Sequence, residues 1–501
     1  MFAGARKTQQ SRPAFARADR NDRGSRQWCV WLIAVEQCID VEEMNGKAMS
    51  LAAKHPGRIG FDIEVFEQFL SGRREADWIT AARRDAFEKY TQLLAEELPA
   101  EEFKRLDLRP FNAELFRPVS DSGELEAVSA LLGETSDYGG RIVHQDGHAV
   151  EVSGSDQLAE KGILFGELQA MLEQHRELVE PFFMRRAVSP DADRFSAWHA
   201  AFWTGGTLLY VPRNVEVELP LHSLITSTRN GVADFSHTLI IVDEGARATL
   251  LEETASADAD SAGLHVGCVE LIVERDAQLR YVQLQNWNQK TWHFAHQAGV
   301  VENNGTLQWT VVGLGSRVSH IHQDINLAGR ASSAEVNGVT FTSDRQKLSY
   351  YTQQHHQQQG TRSDLLYREV LRDESRVIWR GMIKVDIPAQ QTDGYQRSDA
   401  LMLSEEARCD SIPGLEIEAD DVRCTHGSTT GRVDQDQILY CMSRGITRNE
   451  AMHMIVEGFF QEVYDRIPIQ VVRDTLSQTV QKKLGIETLA ADVMSADDEE
   501  F

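Results

Sequence analysis

The middle of the chain repeats a short pattern, and this repeat restricts the fold more than any other feature. An aliphatic residue is followed by three mostly polar residues and then usually by Ala, Gly or Ser. Copies begin at Val211, Val242, Val273, Val301, Leu327, Leu371 and Leu403. Most copies are about 30 residues apart, a spacing typical of stacked supersecondary units.

The residues between the copies indicate strands. Residues 277–284 alternate apolar and polar side chains, which is the period of a half-buried strand. A polar turn between two such strands, followed by a small residue at a tight corner, predicts one coil of a parallel β-helix. An antiparallel sandwich is the alternative, but its turns would recur every 8–12 residues or so without a longer period. We therefore predict a mainly β protein with a parallel β-helix core over residues 186–432.

Helical patterns flank this core. Apolar residues recur at helical spacing over 56–185, and residues 162–184 read as one amphipathic helix. The C-terminal region, 433–487, predicts three helices: one capped by Asp434, one opened by the capping box of Thr447 and Glu450, and one ending before Gly485. Residues 1–55 are predicted to be a weakly ordered extension and 488–501 an acidic tail.

Composition excludes some functions and favours a compartment. The formal net charge is -26, which argues against binding a nucleic-acid backbone. Six cysteines without a CxxC pair favour a reducing cytoplasm over a disulfide framework. The apolar run at 29–35 is far shorter than the 20 or so residues that span a bilayer, so we expect no membrane partner.

Cys424 and His426 are the best candidates for chemistry. Two residues apart on a strand, a thiol and an imidazole lie on the same face. These groups suit iron, zinc or an iron–sulfur cluster, although two ligands do not close a site. The alternative is a buried small residue and a structural histidine. No nucleotide-binding Walker loop is present, so we expect no nucleotide on this chain, and no carboxylate pair singles out a β-helix carbohydrate enzyme.

The interval between the copies at Leu327 and Leu371 is longer than the others. It contains a polar run at 350–359 with His355 and His356. Adjacent strand residues point to opposite faces, so these histidines do not suggest a shared metal site. We predict a solvated loop that leaves the β-helix.

Several motifs resemble the SufB/SufD family of iron–sulfur cluster assembly proteins. They are Cys424-Thr425-His426-Gly427, Asp436-Gln437-Ile438-Leu439-Tyr440, Ser443-Arg444-Gly445-Ile446, Val377-Ile378-Trp379-Arg380-Gly381 and Met454-Ile455-Val456-Glu457-Gly458-Phe459-Phe460. The resemblance covers residues 60–485. It implies a right-handed parallel β-helix between N-terminal and C-terminal α-helical regions, and a scaffold subunit instead of an enzyme.

The resemblance also implies partners. A SufB-like subunit would form a heterodimer with this chain through the β-helix, and the chain alone would form a homodimer. The C-terminal helices would dock a SufC-like ATPase in a SufBCD complex. The motif residues assigned to that docking are Thr447, Glu450, Met454, Glu457, Phe459 and Phe460. A stand-alone β-helix enzyme or a purely structural partner protein remains the alternative.

Within the family the chain is most like SufD. The cysteine of the SufB pattern falls at Ser398, and the glutamate that follows the SufB histidine is replaced by Gly427. Serine is a poor soft-metal ligand. The resemblance therefore implies that His426, and with less support Cys424, contributes to a transient iron or iron–sulfur cluster at the subunit interface, shared with a SufB-like partner.

Overall fold

The computed structural model describes residues 60–132, 137–154 and 156–485. The predicted extension over 1–55 and the acidic tail over 488–501 lie outside these residues. Within the described part, no helix combines the length and apolar character that crossing a bilayer requires.

Twenty strands form the body of the described part of the chain. They are β1 Gly140–Gln145, β2 His148–Gly154, β3 Leu164–Glu167, β4 Gly205–Val211, β5 Leu221–Ser227, β6 Val232–Asp234, β7 Ser236–Val242, β8 Arg247–Ser256, β9 Gly263–Val273, β10 Gln278–Asn286, β11 Trp292–Val301, β12 Thr306–Gly313, β13 Val318–Leu327, β14 Ser333–Thr342, β15 Lys347–His356, β16 Arg362–Leu371, β17 Arg376–Val385, β18 Thr392–Met402, β19 Arg408–Ile417 and β20 Val422–Arg432.

The helices lie before and after the long strands. They are α1 Ile63–Ser71, α2 Asp77–Ala95, α3 Ala100–Phe103, α4 Asp156–Glu160, α5 Leu168–Gln174, α6 Arg176–Val179, α7 Arg194–Phe202, α8 Gln435–Ser443, α9 Arg448–Tyr464 and α10 Gln470–Lys483.

The strands form two sheets that the chain visits in turn. We call sheet A the one ordered β3-β4-β7-β9-β11-β13-β15-β17-β19, with the short β6 also paired with β9, and sheet B the one ordered β2-β1-β5-β8-β10-β12-β14-β16-β18-β20. Neighbouring strands run parallel, except that β2 is antiparallel to β1 and β3 is antiparallel to β4. One strand from each sheet makes one rung, so the predicted parallel β-helix is confirmed.

The corner from sheet A to sheet B explains the sequence repeat. The residue just before the buried small residue has a positive φ at Gly245, Asp276, Asn304, Ala331, Gly360 and Gln391, and Asn214, which precedes the half-buried Val215, has the same conformation. Its backbone N–H donates to a carbonyl of the next rung, as from Gly245 to Arg275 and from Asp276 to Asn303, each at 2.9 Å. The small residue that follows, such as Ala246 or Ala277, is fully buried. We call this column of contacts the corner ladder.

Two of the predicted copies belong elsewhere. Those starting at Leu371 and Leu403 lie at the opposite corner, where sheet B returns to sheet A after β16 and β18. At Leu371 the left-handed residue is Asp373, the third of the copy instead of the fourth. Both corners use polar and small residues, so their sequences are easily confused.

The predicted loop at 350–359 is also wrong. Because the copy at Leu371 lies at the other corner, the long interval before it is not an insertion into the β-helix. Residues 347–356 form β15, which pairs in parallel with β13 and β17 along its whole length. His356 lies inside, where its two ring nitrogens contact Thr361 and Ser363 hydroxyls at 2.8 Å. His355 points the other way and contacts Asp386 at 2.9 Å. The alternation of burial shows that this polar run is an ordinary rung.

The N-terminal region is helical only in part. Residues 162–184, predicted as one helix, contain β3 followed by α5 and α6, and β1 and β2 also fall inside the predicted helical range. The β-branched pair Ile142 and Val143 suits a strand, and β1 joins sheet B beside β5. Helices α1, α2 and α7 pack aromatic residues, among them Phe66, Phe87 and Trp198, over the outer face of sheet A.

The C-terminal helices cover sheet B. Asp434 caps α8, Thr447 and Glu450 form the predicted capping box of α9, and α10 ends at Lys483 before Gly485. Residues Val456, Phe460, Val463, Val472, Leu476 and Val480 pack against outward side chains of sheet B, including Leu284, Val312 and Phe341. Each sheet therefore has its own helical cover.

A substitution at the corner ladder tests its conformational demand. Asp276→Val should lower the free energy of unfolding by about 1–2 kcal/mol relative to Asp276→Gly, because a β-branched residue is strained at its φ of 60°. Both variants lose the Asp276 contact with Asn304, so their difference measures backbone strain. Urea unfolding measures it, with exposed Gln278→Val as control. Equal stability of the two Asp276 variants would contradict this role for the corner.

Candidate functional site at the end of the β-helix

The last rung is the only one that lacks a successor among the described residues. No described strand pairs with the outer edges of β19 and β20. Most residues of these strands are exposed or half-buried, whereas earlier rungs are buried. Leu415 and Ile417, which continue the column of interior residues Ile383 and Val385, are 37% and 41% exposed. The interior of the β-helix is thus open to solvent at this end.

Cys424 lies on the interior side of β20. It packs beside Ile383 and Val385, and its neighbour on β18 is Gly394. A Cβ at Gly394 would lie 3.3 Å from Cys424 Sγ and 3.4 Å from His356 Nε2, so the glycine leaves room for both side chains. Burial raises the pKa of the Cys424 thiol, which therefore stays protonated at neutral pH in the absence of a metal.

His426 follows on the same side of the strand but is exposed. Its neighbour in the register is Gln396, which is fully buried and donates to the Gly414 carbonyl at 3.0 Å. The structure thus brings Cys424 and His426 to one side of the last rung, as the sequence predicts. Groups of three or more described His, Cys, Asp or Glu side chains that could share an ion lie elsewhere and include neither residue.

A buried polar cluster lies beside the other end of these strands. Ser398 Oγ and Cys409 Sγ both donate to Glu369 Oε2, at 3.4 and 3.3 Å. Burial raises the pKa of Glu369 to about 7 and also raises the pKa of Cys409. We did not predict Glu369 or Cys409 from the sequence. The sequence does contain a clue to Glu369. It lies two residues after Tyr367 and four after Leu365, so it shares their interior face of β16.

The residues predicted to dock an ATPase differ in whether their side chains are free for a partner or already engaged within the chain. Met454 is 54% exposed, and exposed Leu439, Tyr440 and Met442 of α8 add further apolar surface. Thr447 and Glu450 cap α9, and Glu457 accepts a hydrogen bond from Ser477 at 2.9 Å. The Phe459 ring lies 4.9 Å from the Arg368 guanidinium.

Phe460 is the exception within the predicted set. It is fully buried between α9 and sheet B, so it cannot offer a surface to a partner. Its role in the folded chain is to hold α9 in place. The exposed part of the predicted surface is therefore the apolar group on α8 together with Met454.

Comparisons with known proteins agree on one family. The description "SUF system FeS cluster assembly, SufBD core domain" matches residues 224–459, and "SufBD protein N-terminal region" matches residues 141–222. The iron-sulfur cluster assembly protein SufD of Bacillus subtilis is 28% identical over 436 residues, 85% of this chain and 99% of its own. An iron-sulfur cluster assembly SufBD family protein of Staphylococcus epidermidis is 30% identical over 341 residues, 68% of this chain and 71% of its own.

The buried carboxyl predicts a specific pH dependence. The pKa of Glu369 is about 7 in the folded chain against an ordinary 4.5, so the unfolded chain ionises first as the pH rises. The free energy of unfolding should therefore fall by about 3 kcal/mol between pH 4.5 and pH 8, relative to Glu369→Gln. Denaturant titrations at several pH values measure this, with exposed Glu405→Gln as control. Parallel pH profiles for wild type and Glu369→Gln would contradict it.

Proposed function

The chain belongs to the SufBD family of iron–sulfur cluster assembly proteins, as its motifs predicted, and we propose that it is the SufD-like scaffold subunit of a SufBCD complex. In this proposal the β-helix end pairs with a SufB-like subunit, and α8 to α10 form the docking region for a SufC-like ATPase. The chain itself catalyses no reaction and binds no nucleotide. Iron or a nascent cluster is cargo at the subunit interface.

The open last rung is the observation that best supports the proposed pairing with a SufB-like subunit. Two strands whose outer edges pair with no described strand, and whose apolar side chains are half-exposed, are a surface that another chain can extend or cover. A SufB-like β-helix ending in the same way is the matching partner. Burying Leu415 and Ile417 against such a partner would continue the interior column across the interface.

Cys424 and His426 are placed to act at this interface. Both lie on the interior side of the outermost strand, and His426 is already exposed. A partner rung against β20 would bring its own side chains over them. Because the two residues are too few to hold an ion alone, we infer that the partner completes the ligand set.

The apolar surface of α8 and α9 supports the ATPase docking. Leu439, Tyr440, Met442 and Met454 are exposed on helices whose other faces are buried against one another or against sheet B. Exposed apolar groups on an otherwise packed helical layer are typical of an interaction surface. The same helices cover sheet B, so a force on them would be transmitted to the β-helix.

Substitution of the histidine tests the cargo role. His426→Ala should slow cluster formation on the reconstituted complex by at least about tenfold. Mutation of a residue that only supports a metal ligand already lowers activity by this factor or more, so loss of a ligand should cost at least as much. The fold of the chain should be unchanged, because the His426 side chain is exposed in the free chain, and the assay uses complex whose subunit ratio matches that of the wild type. Iron and sulfide content and the visible absorption of the cluster measure this. Ser428→Ala, on the same side of β20, is the matched control.

Normal cluster formation by His426→Ala in an intact complex would contradict the cargo role and favour a purely structural partner. Failure to copurify with any SufB-like chain would contradict the scaffold role itself. The two outcomes therefore test different parts of the proposal.

A single charge on α9 tests the docking surface. Met454→Glu should weaken binding of the SufC-like ATPase by at least about tenfold, because a carboxylate would be buried in an apolar contact. The fold should be unaffected, since Met454 is 54% exposed. Isothermal titration measures the affinity. Ile63→Glu, at a similarly exposed residue of α1, is the control and should bind as wild type. Equal binding by Met454→Glu would contradict this surface.

A further inference from the structure

A second group of metal-binding side chains lies on the outer face of sheet A, far along the chain from β20. Glu102 Oε1 lies 2.7 Å from His320 Nε2 and 2.6 Å from His322 Nε2. The three ligand atoms all lie within 4.8 Å of one another. One carboxylate oxygen thus faces two imidazole nitrogens at a single point.

Two different elements build this point. His320 and His322 are two residues apart on β13, so both project from the outer face of the sheet. Their rings are nearly perpendicular, at 80°, with centroids 5.2 Å apart. Glu102 belongs to α3 and precedes His320 by 218 residues in the chain. The two histidines are fixed by the sheet, and the carboxylate is brought to them by the N-terminal segment.

The surroundings orient both rings. His320 Nδ1 lies 3.1 Å from Ser349 Oγ on the next strand, which leaves Nε2 directed at Glu102. His322 stacks on Tyr351, with centroids 5.0 Å apart and planes 9° apart. A histidine ligand held through its second nitrogen is the usual arrangement at metal sites.

Access and nearby charge also suit a cation. His320 is almost completely buried, but the side chains of Glu102 and His322 are each 16% exposed, so the point can be reached from solvent. Asp193 and Asp324 contact His296 at 2.9 and 3.2 Å, and the ring centroids of His296 and His322 lie 5.2 Å apart. Two carboxylates against one imidazole leave net negative charge close to the three ligands even when His296 is protonated.

The buried group His199, His237 and Cys268 is a weaker candidate. Its histidines contact each other at 3.1 Å, and Cys268 Sγ contacts the Met184 sulfur at 3.6 Å. All three residues are fully buried. None of these side chains can be reached from solvent, so this group has the character of a structural network.

We propose that Glu102, His320 and His322 bind one divalent first-row transition-metal ion, of the zinc or ferrous type. Two imidazoles and one carboxylate are a ligand set that these ions favour, and water would fill the remaining positions. The bound ion would tie α3 to β13. This site is independent of the function proposed for Cys424 and His426.

Cobalt provides a direct test. Full-length protein freed of metal by a chelator, in the His426→Ala background, should bind one equivalent of Co²⁺ with d–d absorption bands. The spectrum should lack a thiolate-to-cobalt charge-transfer band, because no cysteine belongs to this site. Glu102→Gln and His322→Gln should each weaken binding by at least about tenfold, and Ser349→Ala by about tenfold as an outer-shell partner. His355→Gln, which removes a histidine bound to Asp386, is the control and should bind as the parent does.

A second readout separates binding from folding. Zn²⁺ should raise the melting temperature of the parent protein, since a ligand of the folded state stabilises it, and should not raise that of Glu102→Gln. Glutamine can still hydrogen-bond the imidazoles, so this variant should fold. If Glu102→Gln and His322→Gln bind Co²⁺ like the parent, or if the parent binds none, the group is an ion-pair contact only and the proposal is wrong.

Discussion

The corner ladder and the parallel pairing beside it are the constraint on which the rest of the structure depends. Each left-handed corner residue donates its N–H to the next rung, at distances between 2.5 and 3.0 Å from Asn214 through Gln391. A rung that turned one residue early or late would lose this bond and place its interior side chains outside. The ladder therefore fixes the register of both sheets. That register brings Cys424 above Gly394 and His322 beside Tyr351.

The two outer faces of the β-helix have separate covers. Aromatic residues of α1, α2 and α7 lie over sheet A, and aliphatic residues of α9 and α10 lie over sheet B. Because these covers come from opposite ends of the chain, the N-terminal and C-terminal regions each contact the same central element. The candidate metal ligands at β13 lie under the first cover, and the apolar surface of α8 lies on the second.

The sequence was informative where one local pattern determined the structure. The small residues after Gly245 and Asp276 marked the corner, and Thr447 with Glu450 marked the start of α9. Prediction from the sequence failed where the structure depends on contacts between elements that are distant in the chain. The copies at Leu371 and Leu403 resemble the repeat but belong to the other corner. Phe459 and Phe460 are adjacent in sequence, but only Phe460 is buried, because it packs against sheet B. The His320-Ile321-His322 pattern was visible, but Glu102 could not be assigned to it from 218 residues away.

The two ends of the β-helix are not equivalent, and this limits how copies can assemble. At the start, β2 pairs antiparallel with β1 and β3 pairs antiparallel with β4, so the first rung does not present the parallel edges that the last rung presents. The pairing proposed above, last rung against last rung, would be a two-fold arrangement that closes after two chains. In that proposed arrangement the open end of the β-helix has a valence of one, and either a copy of the chain or a related subunit would occupy it.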